Sequence, residues 1–168
     1  MSRKVLFRYA AFSLMAALSW GNAWAGGGDN NRIRLRNAVG IELLGNSLLY
    51  SFYYQRMLDQ SFGLDAGLAM YGGSDGDGSS FVAFIPFGAK VYLIPKNGSI
   101  YLTGGGVLLT ASTSSGPFDE EASTLYGYAG LGFEHRADGG FIFRFTAYSL
   151  FANGGFFIWP GLTIGYSF

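Results

Sequence analysis

From Asn37 onward the chain alternates. Val39, Ile41 and Leu43 fall on one side of an extended backbone, and Gly40 and Glu42 on the other. A period of two predicts a strand with one apolar and one polar face. The pattern recurs in segments of roughly ten residues separated by turn-forming residues. It predicts eight strands, over about 37–44, 48–56, 62–71, 81–93, 99–110, 123–134, 141–150 and 157–168. Leu64, Ala66, Leu68 and Met70 oppose Gly63, Asp65, Gly67 and Ala69. Ile85, Phe87, Ala89 and Val91 oppose Gly88, Lys90 and Tyr92. Leu125, Ala129, Leu131 and Phe133 oppose Tyr128, Gly130, Gly132 and Glu134, and Phe141, Phe143 and Phe145 oppose Arg144, Thr146 and Tyr148. The fifth segment carries Gly104-Gly105-Gly106, which leaves its facing undetermined.

The connections alternate in length. Met57 to Gln60, Pro95-Lys96-Asn97-Gly98 and residues 136–140 read as tight turns, while Gly45-Asn46-Ser47, at the opposite end, departs from the alternation in being short. Residues 72–80 and 111–122 read as long polar loops, the second carrying Asp119, Glu120 and Glu121. Outer-membrane barrels have short turns at one end and longer loops at the other.

Composition decides what kind of barrel this is. Only 13% of residues are charged, against about 25% in ordinary globular proteins. Aromatics reach 18%, and glycine supplies 27 of 168 residues. Yet no apolar run after residue 25 suits a membrane helix. The longest, Phe81 to Ile94, contains Pro86, Gly88 and Lys90. A chain this apolar without spanning helices is satisfied by a closed barrel, in which every backbone group pairs with the next strand. The expected fold is therefore an all-β, eight-stranded, antiparallel, up-and-down transmembrane barrel. Glu42, Asp65, Lys90, Glu134 and Arg144 all oppose the apolar face. With that face in lipid they form a lumen charge network, which must be paired because lone buried charges cost several kcal/mol each. Reversing the faces would leave a soluble barrel with a poor aqueous surface.

The N-terminus has its own pattern. Arg3, Lys4 and Arg8 precede an apolar stretch from Tyr9 to Leu18, and Ala23-Trp24-Ala25 offers small residues at a cleavage site. This predicts a secretory signal over 1–25, then a periplasmic lead-in over 26–36, then the barrel over 37–168. Loss of those three bases from a neutral chain leaves acids in excess, so nucleic acid is not an expected partner. No cysteine is present, which excludes disulfides, thiolate metal sites and a lipid-anchored N-terminus.

The last strand carries the most specific signal. Leu162, Ile164, Tyr166 and Phe168 occupy alternate positions up to the terminus. The pattern resembles the C-terminal sorting signal of bacterial outer-membrane proteins, and departs from it at Pro160 and Thr163. With the eight strands, the chain resembles the small OmpA- and OmpX-like barrels. That resemblance implies a Gram-negative outer membrane, contact with its lipid and lipopolysaccharide, insertion by the barrel assembly machinery and a monomeric barrel. It does not imply one activity.

An eight-stranded barrel is just wide enough for side chains to fill. The leading expectation is a structural or surface-interaction barrel with a filled lumen and acidic outer loops at Asp75, Asp77 and Asp119 to Glu121. The alternatives are a narrow channel or a conduit for small apolar molecules, as in the OmpW-like barrels, or a lipid-modifying enzyme. The lumen charges argue against an apolar conduit. Against the enzyme, His135 is the sole histidine, and where the lipid A deacylase barrels place serine two residues on, this chain has Ala137. No cofactor or metal is expected. The aspartates of Gly72 to Gly78 lack the glutamate that completes a calcium loop. Tyr50, Tyr54, Tyr92, Tyr101, Trp159 and Tyr166 are expected as interfacial girdles. The arginines of Arg32-Ile33-Arg34-Leu35-Arg36 are expected to meet phosphate head groups.

Overall fold

A computed structural model describes residues 31–75, 78–94, 96–115, 118–152 and 155–168. The expected signal segment, Asp77 and most of the lead-in lie outside the described residues. A single helical turn, α1 (Asn31–Arg34), precedes eight strands: β1 (Asn37–Leu44), β2 (Tyr50–Met57), β3 (Phe62–Asp75), β4 (Gly78–Tyr92), β5 (Gly98–Ser115), β6 (Phe118–Arg136), β7 (Phe141–Ala152) and β8 (Gly155–Ser167). They close as one barrel in chain order, each antiparallel to its neighbours. The seam between β1 and β8 pairs Val39 with Tyr166, Ile41 with Ile164 and Leu43 with Leu162.

The faces follow the alternation. Ile41, Phe52, Leu64, Phe87, Leu131 and Phe145 are exposed on the outer wall, while Ala38, Gln55, Lys90, Glu134, Arg144 and Thr146 are buried inside. In water this would be inverted; in lipid it is the arrangement that desolvation demands. The structure also settles β5: Tyr101, Thr103 and Val107 turn inward, and Leu102 and Leu108 outward. Near the middle of β4, Pro86 has no N–H to give. The β3–β4 ladder accordingly runs from Ala66↔Phe87 to Ala69↔Phe84 with the step between them unpaired.

Two expected loops are strand. Gly73 pairs with Ser80 and Ser74 with Ser79, and Ala111 pairs with Ala122 and Ser112 with Glu121. β5 and β6 reach 18 and 19 residues, against 8 for β1 and β2. One side of the outer rim is thus a tall wall and the other is low. On the low side the β1–β2 connection folds inward as a 3-10 turn over Gly45–Ser47, with Asn46 and Ser47 buried.

The aromatic expectations divide. Tyr54 and Tyr166 lie on the outer wall. Tyr92 and Tyr101 do not: they are 2% and 0% exposed, inside the barrel. Trp159 also turns inward and donates to the Leu48 carbonyl at 3.1 Å. An eight-stranded lumen needs large side chains to fill it, and these rings take that role.

Candidate functional site: the lumen

The interior is stacked in layers. At the inner end, Glu134 of β6 is fully buried. Its Oε1 accepts from Arg32 Nε at 3.2 Å and lies 3.4 Å from Arg136 Nε. Its Oε2 accepts from Arg144 Nε of β7 and from the Tyr92 hydroxyl at 2.7 Å. Gln55 Oε1 accepts from Arg136 Nη2 at 3.1 Å and from Arg144 Nη2. The guanidinium of Arg32 lies 4.3 Å above the Tyr92 ring, and that of Arg144 lies 4.8 Å from the Tyr53 ring. Three guanidiniums thus surround one carboxylate. The extra charge is spread over π faces and carbonyl oxygens, which lowers the cost of burying it.

Arg32 arrives from outside the strands. It donates to the Lys96 carbonyl in the β4–β5 turn, while Arg136 Nη1 donates to the Leu35 carbonyl at 3.0 Å. These bonds lay residues 32–36 across the inner mouth. Arg32 is therefore a lumen residue, not a head-group contact as its sequence context suggested. Its buried partner Glu134 outcompetes a solvated phosphate. Arg34 is exposed and donates to the Asp138 carbonyl at 2.7 Å.

Above that layer, Lys90 of β4 pairs with Asp65 of β3 at 2.8 Å. Glu42 of β1 is set apart. Its Oε1 accepts from the Tyr148 hydroxyl at 2.7 Å and from Thr163 Oγ1 at 3.3 Å. Between these groups and the Arg144 layer lies a cavity of about 10 Å³, bounded by Glu42, Ser51, Tyr53, Asp65 and Lys90. That is room for about one water molecule. The outer half of the lumen is apolar, built from Ala69, Phe84, Val107, Tyr128, Tyr148 and Leu150. The inturned β1–β2 turn caps it.

The structure places Glu42, Asp65, Lys90, Glu134 and Arg144 inside the barrel, as two ion-paired groups with Glu42 outside both. It places Leu162, Ile164, Tyr166 and Phe168 along the outer side of β8. The Phe168 N–H donates to the Asn37 carbonyl at 2.8 Å, and the Asn37 N–H to the Phe168 carbonyl at 3.0 Å. Sequence reasoning missed Arg32, Arg136 and Tyr53. Arg136 shares its parity with Glu134, two residues away, and reading β6 one step longer finds it. Nothing in the sequence marks Arg32, whose position depends on how α1 meets the mouth. His135 is exposed, at a position paired with Phe143 on the outer wall.

A closed antiparallel barrel of eight strands, apolar outside and charged within, defines a small transmembrane β-barrel of the outer-membrane type. A solved structure bears the same fold. The N-terminal β-barrel domain of Pseudomonas aeruginosa OprF matches with a TM-score of 0.59 and 15% identity, covering 79% of this chain and 98% of that one. The attachment invasion locus protein Ail of Yersinia pestis matches with a TM-score of 0.46 and 17% identity, over 79% and 94%. Acinetobacter baumannii CarO matches with 0.43 and 9%, over 82% and 100%. No family model and no curated protein matches the sequence.

Proposed function

We propose that this chain is a monomeric outer-membrane protein of a Gram-negative bacterium, a closed barrel with a structural or surface-interaction role. The observation that carries this reading is the filling of the lumen. Residues 32–36 cross the inner mouth, the β1–β2 turn covers the outer one, and a cavity of about 10 Å³ lies between. Such an interior offers no continuous aqueous path.

The tall β3–β6 wall supports a role at the surface. Its upper rows, from Gly72 and Phe81 through Ser112 to Glu121, are poor in aliphatic residues, unlike the Leu68, Ile85, Leu108 and Leu125 positions below them. That change marks the passage from lipid to head groups and solvent. Export through a cleaved signal over 1–25 and insertion by the assembly machinery through Leu162, Ile164, Tyr166 and Phe168 belong to the same reading.

Single-channel recording of the refolded barrel in a planar bilayer tests it. Silence is expected. A reproducible conductance abolished by Lys90→Ala or Arg144→Ala would replace the closed barrel with a small channel.

A further inference from the structure

The outward face of the tall wall carries a cavity of about 420 Å³. That lies within the range of small-molecule sites, about 300–1,000 Å³. Phe81 of β4, Thr110 and Ser112 of β5, and Glu121 and Ser123 of β6 line it, with Ala111 and Ala122 between them. The strand register explains the hollow. Ile85, Leu108 and Leu125 form one row across the three strands, and all three are exposed on the outer wall. The next row outward is small, made of Ala83, Thr110 and Ser123. Beyond it run Gly72, Phe81, Ser112 and Glu121. A furrow of short side chains therefore lies between an aliphatic ridge and a row that holds a ring and a carboxylate.

The groups around this furrow are unspent. Among the described residues, the Glu121 carboxylate and the hydroxyls of Thr110, Ser112 and Ser123 make no hydrogen bond or ion pair with another side chain or with the backbone. Phe81 is 44% exposed, and no other described ring packs on it. Its neighbour on β3 is Gly72, where a Cβ would stand 3.8 Å from Phe81 Cδ2. The ring leans over a residue without a side chain and leaves its other side to the cavity.

The chemistry of the lining selects the ligand. A carboxylate accepts hydrogen bonds, and hydroxyls both donate and accept, so a matching ligand must do both. A phosphate only accepts and would face Glu121 with no cation to help, because no lysine or arginine occurs between residues 66 and 89 or between 99 and 133. An ammonium only donates, which leaves the three O–H donors without acceptors. A neutral pyranose donates and accepts through its hydroxyls, and its ring C–H groups offer an apolar face to stack on Phe81. The ridge of Ile85, Leu108 and Leu125 names the source. It continues the lipid-facing wall directly into the furrow, so one molecule with acyl chains and a sugar head meets both surfaces.

We propose that this furrow binds the neutral sugar of a glycolipid in the outer leaflet, a reading that rests on the outer-membrane orientation proposed for the barrel. The sugar stacks on Phe81 and is held by Glu121, Ser112, Thr110 and Ser123. The acyl chains lie along Ile85, Leu108 and Leu125.

Phe81→Trp keeps an aromatic ring in the site and makes it fluorescent. That variant is refolded in phosphatidylcholine vesicles holding a rising fraction of monoglucosyl diacylglycerol, with the native barrel as the blank for its other tryptophans. A saturating change in indole emission is expected. Adding Glu121→Ala should raise the midpoint about tenfold, the scale of one hydrogen bond to a charged group. Adding Ser123→Phe, which fills the furrow, should abolish the change. Diacylglycerol, phosphatidylglycerol and phosphatidylethanolamine should each give no saturating change.

The same response to any of those three lipids would overturn the sugar assignment, as would a midpoint unmoved by Glu121→Ala. Free glucose acting at the same concentration as the glycolipid would overturn the membrane source. If Phe81→Trp does not refold, native mass spectrometry of the unaltered barrel compares retained glucosyl lipid with phosphatidylcholine, and equal retention would overturn the site. A barrel that is silent in bilayers but shows no glycolipid preference overturns this inference alone. A conducting barrel with saturable glycolipid binding supports the site and overturns only the closed lumen.

Discussion

At Gly132 a Cβ would stand 2.5 Å from the ring of Tyr101, and at Gly165 one would stand 2.2 Å from the Tyr53 hydroxyl. Gly88 and Gly105 leave the same kind of room for the Tyr128 hydroxyl. Large rings fill this narrow lumen by lying across strands that present no side chain to them. That pairing accounts for the glycines that face the inward tyrosines. Glu134 is the other residue on which the interior turns. Replacing it with Ala would leave Arg32, Arg136 and Arg144 buried without their shared carboxylate. The expected loss is about 3–5 kcal/mol, measured as a shift in the urea unfolding midpoint of the refolded barrel. An effect below 1 kcal/mol would mean that the cluster is solvated. The parity of Glu134 and Arg144 was legible from the alternation. The partner Arg32 was not, because a single helical turn outside the barrel carries no periodic signal.

Among the elements, the alternation located every strand but stopped β3 and β5 too early and began β4 and β6 too late at the outer rim. Within the membrane one face meets lipid and the other a packed lumen, so apolar and polar residues alternate. Beyond the membrane both faces of a strand meet polar surroundings, and the alternation vanishes while the backbone ladder continues. Ser79, Ser112 and Thr113 therefore read as loop yet pair as strand. The facing of β7 is the clearest in the molecule: Phe141, Phe143 and Phe145 point out, and Ile142, Arg144 and Thr146 point in. Phe143→Arg puts a charge on the lipid side of that strand. It should destabilise the barrel by less than the ~2–4 kcal/mol that an arginine costs at the bilayer midplane, because Phe143 is the third residue of β7 at its inner end. Urea titration in vesicles checks it, and a neutral result would place Phe143 away from lipid.

For the whole molecule, closure depends on the last strand meeting the first. Phe168 and Asn37 exchange both main-chain hydrogen bonds at the inner end of that seam, and Tyr166, Ile164 and Leu162 continue the pairing outward. Deleting Phe168 removes the end of the ladder and the terminal aromatic of the proposed sorting signal. The deletion is expected to lower the amount of heat-modifiable barrel recovered from outer membranes. Refolding of the same purified variant in vesicles tells the two roles apart. Good refolding with poor assembly in cells indicates a signal, and failure of both indicates the seam. Normal assembly in cells would overturn the sorting role.

The sequence by itself determined the fold class, the number and order of the strands, and which face of nearly every strand meets lipid. Those properties are written in the period of two, because each residue's facing is set by its own position along an extended backbone. Only the tertiary structure decided how the interior is closed. Arg32 comes from ahead of the barrel to meet Glu134, 102 residues away in sequence. Trp159 reaches across to Leu48, 111 residues distant, and Tyr148 to Glu42, 106 distant. Such contacts depend on the register and tilt that bring opposite walls together across the lumen. Local alternation carries no information about them.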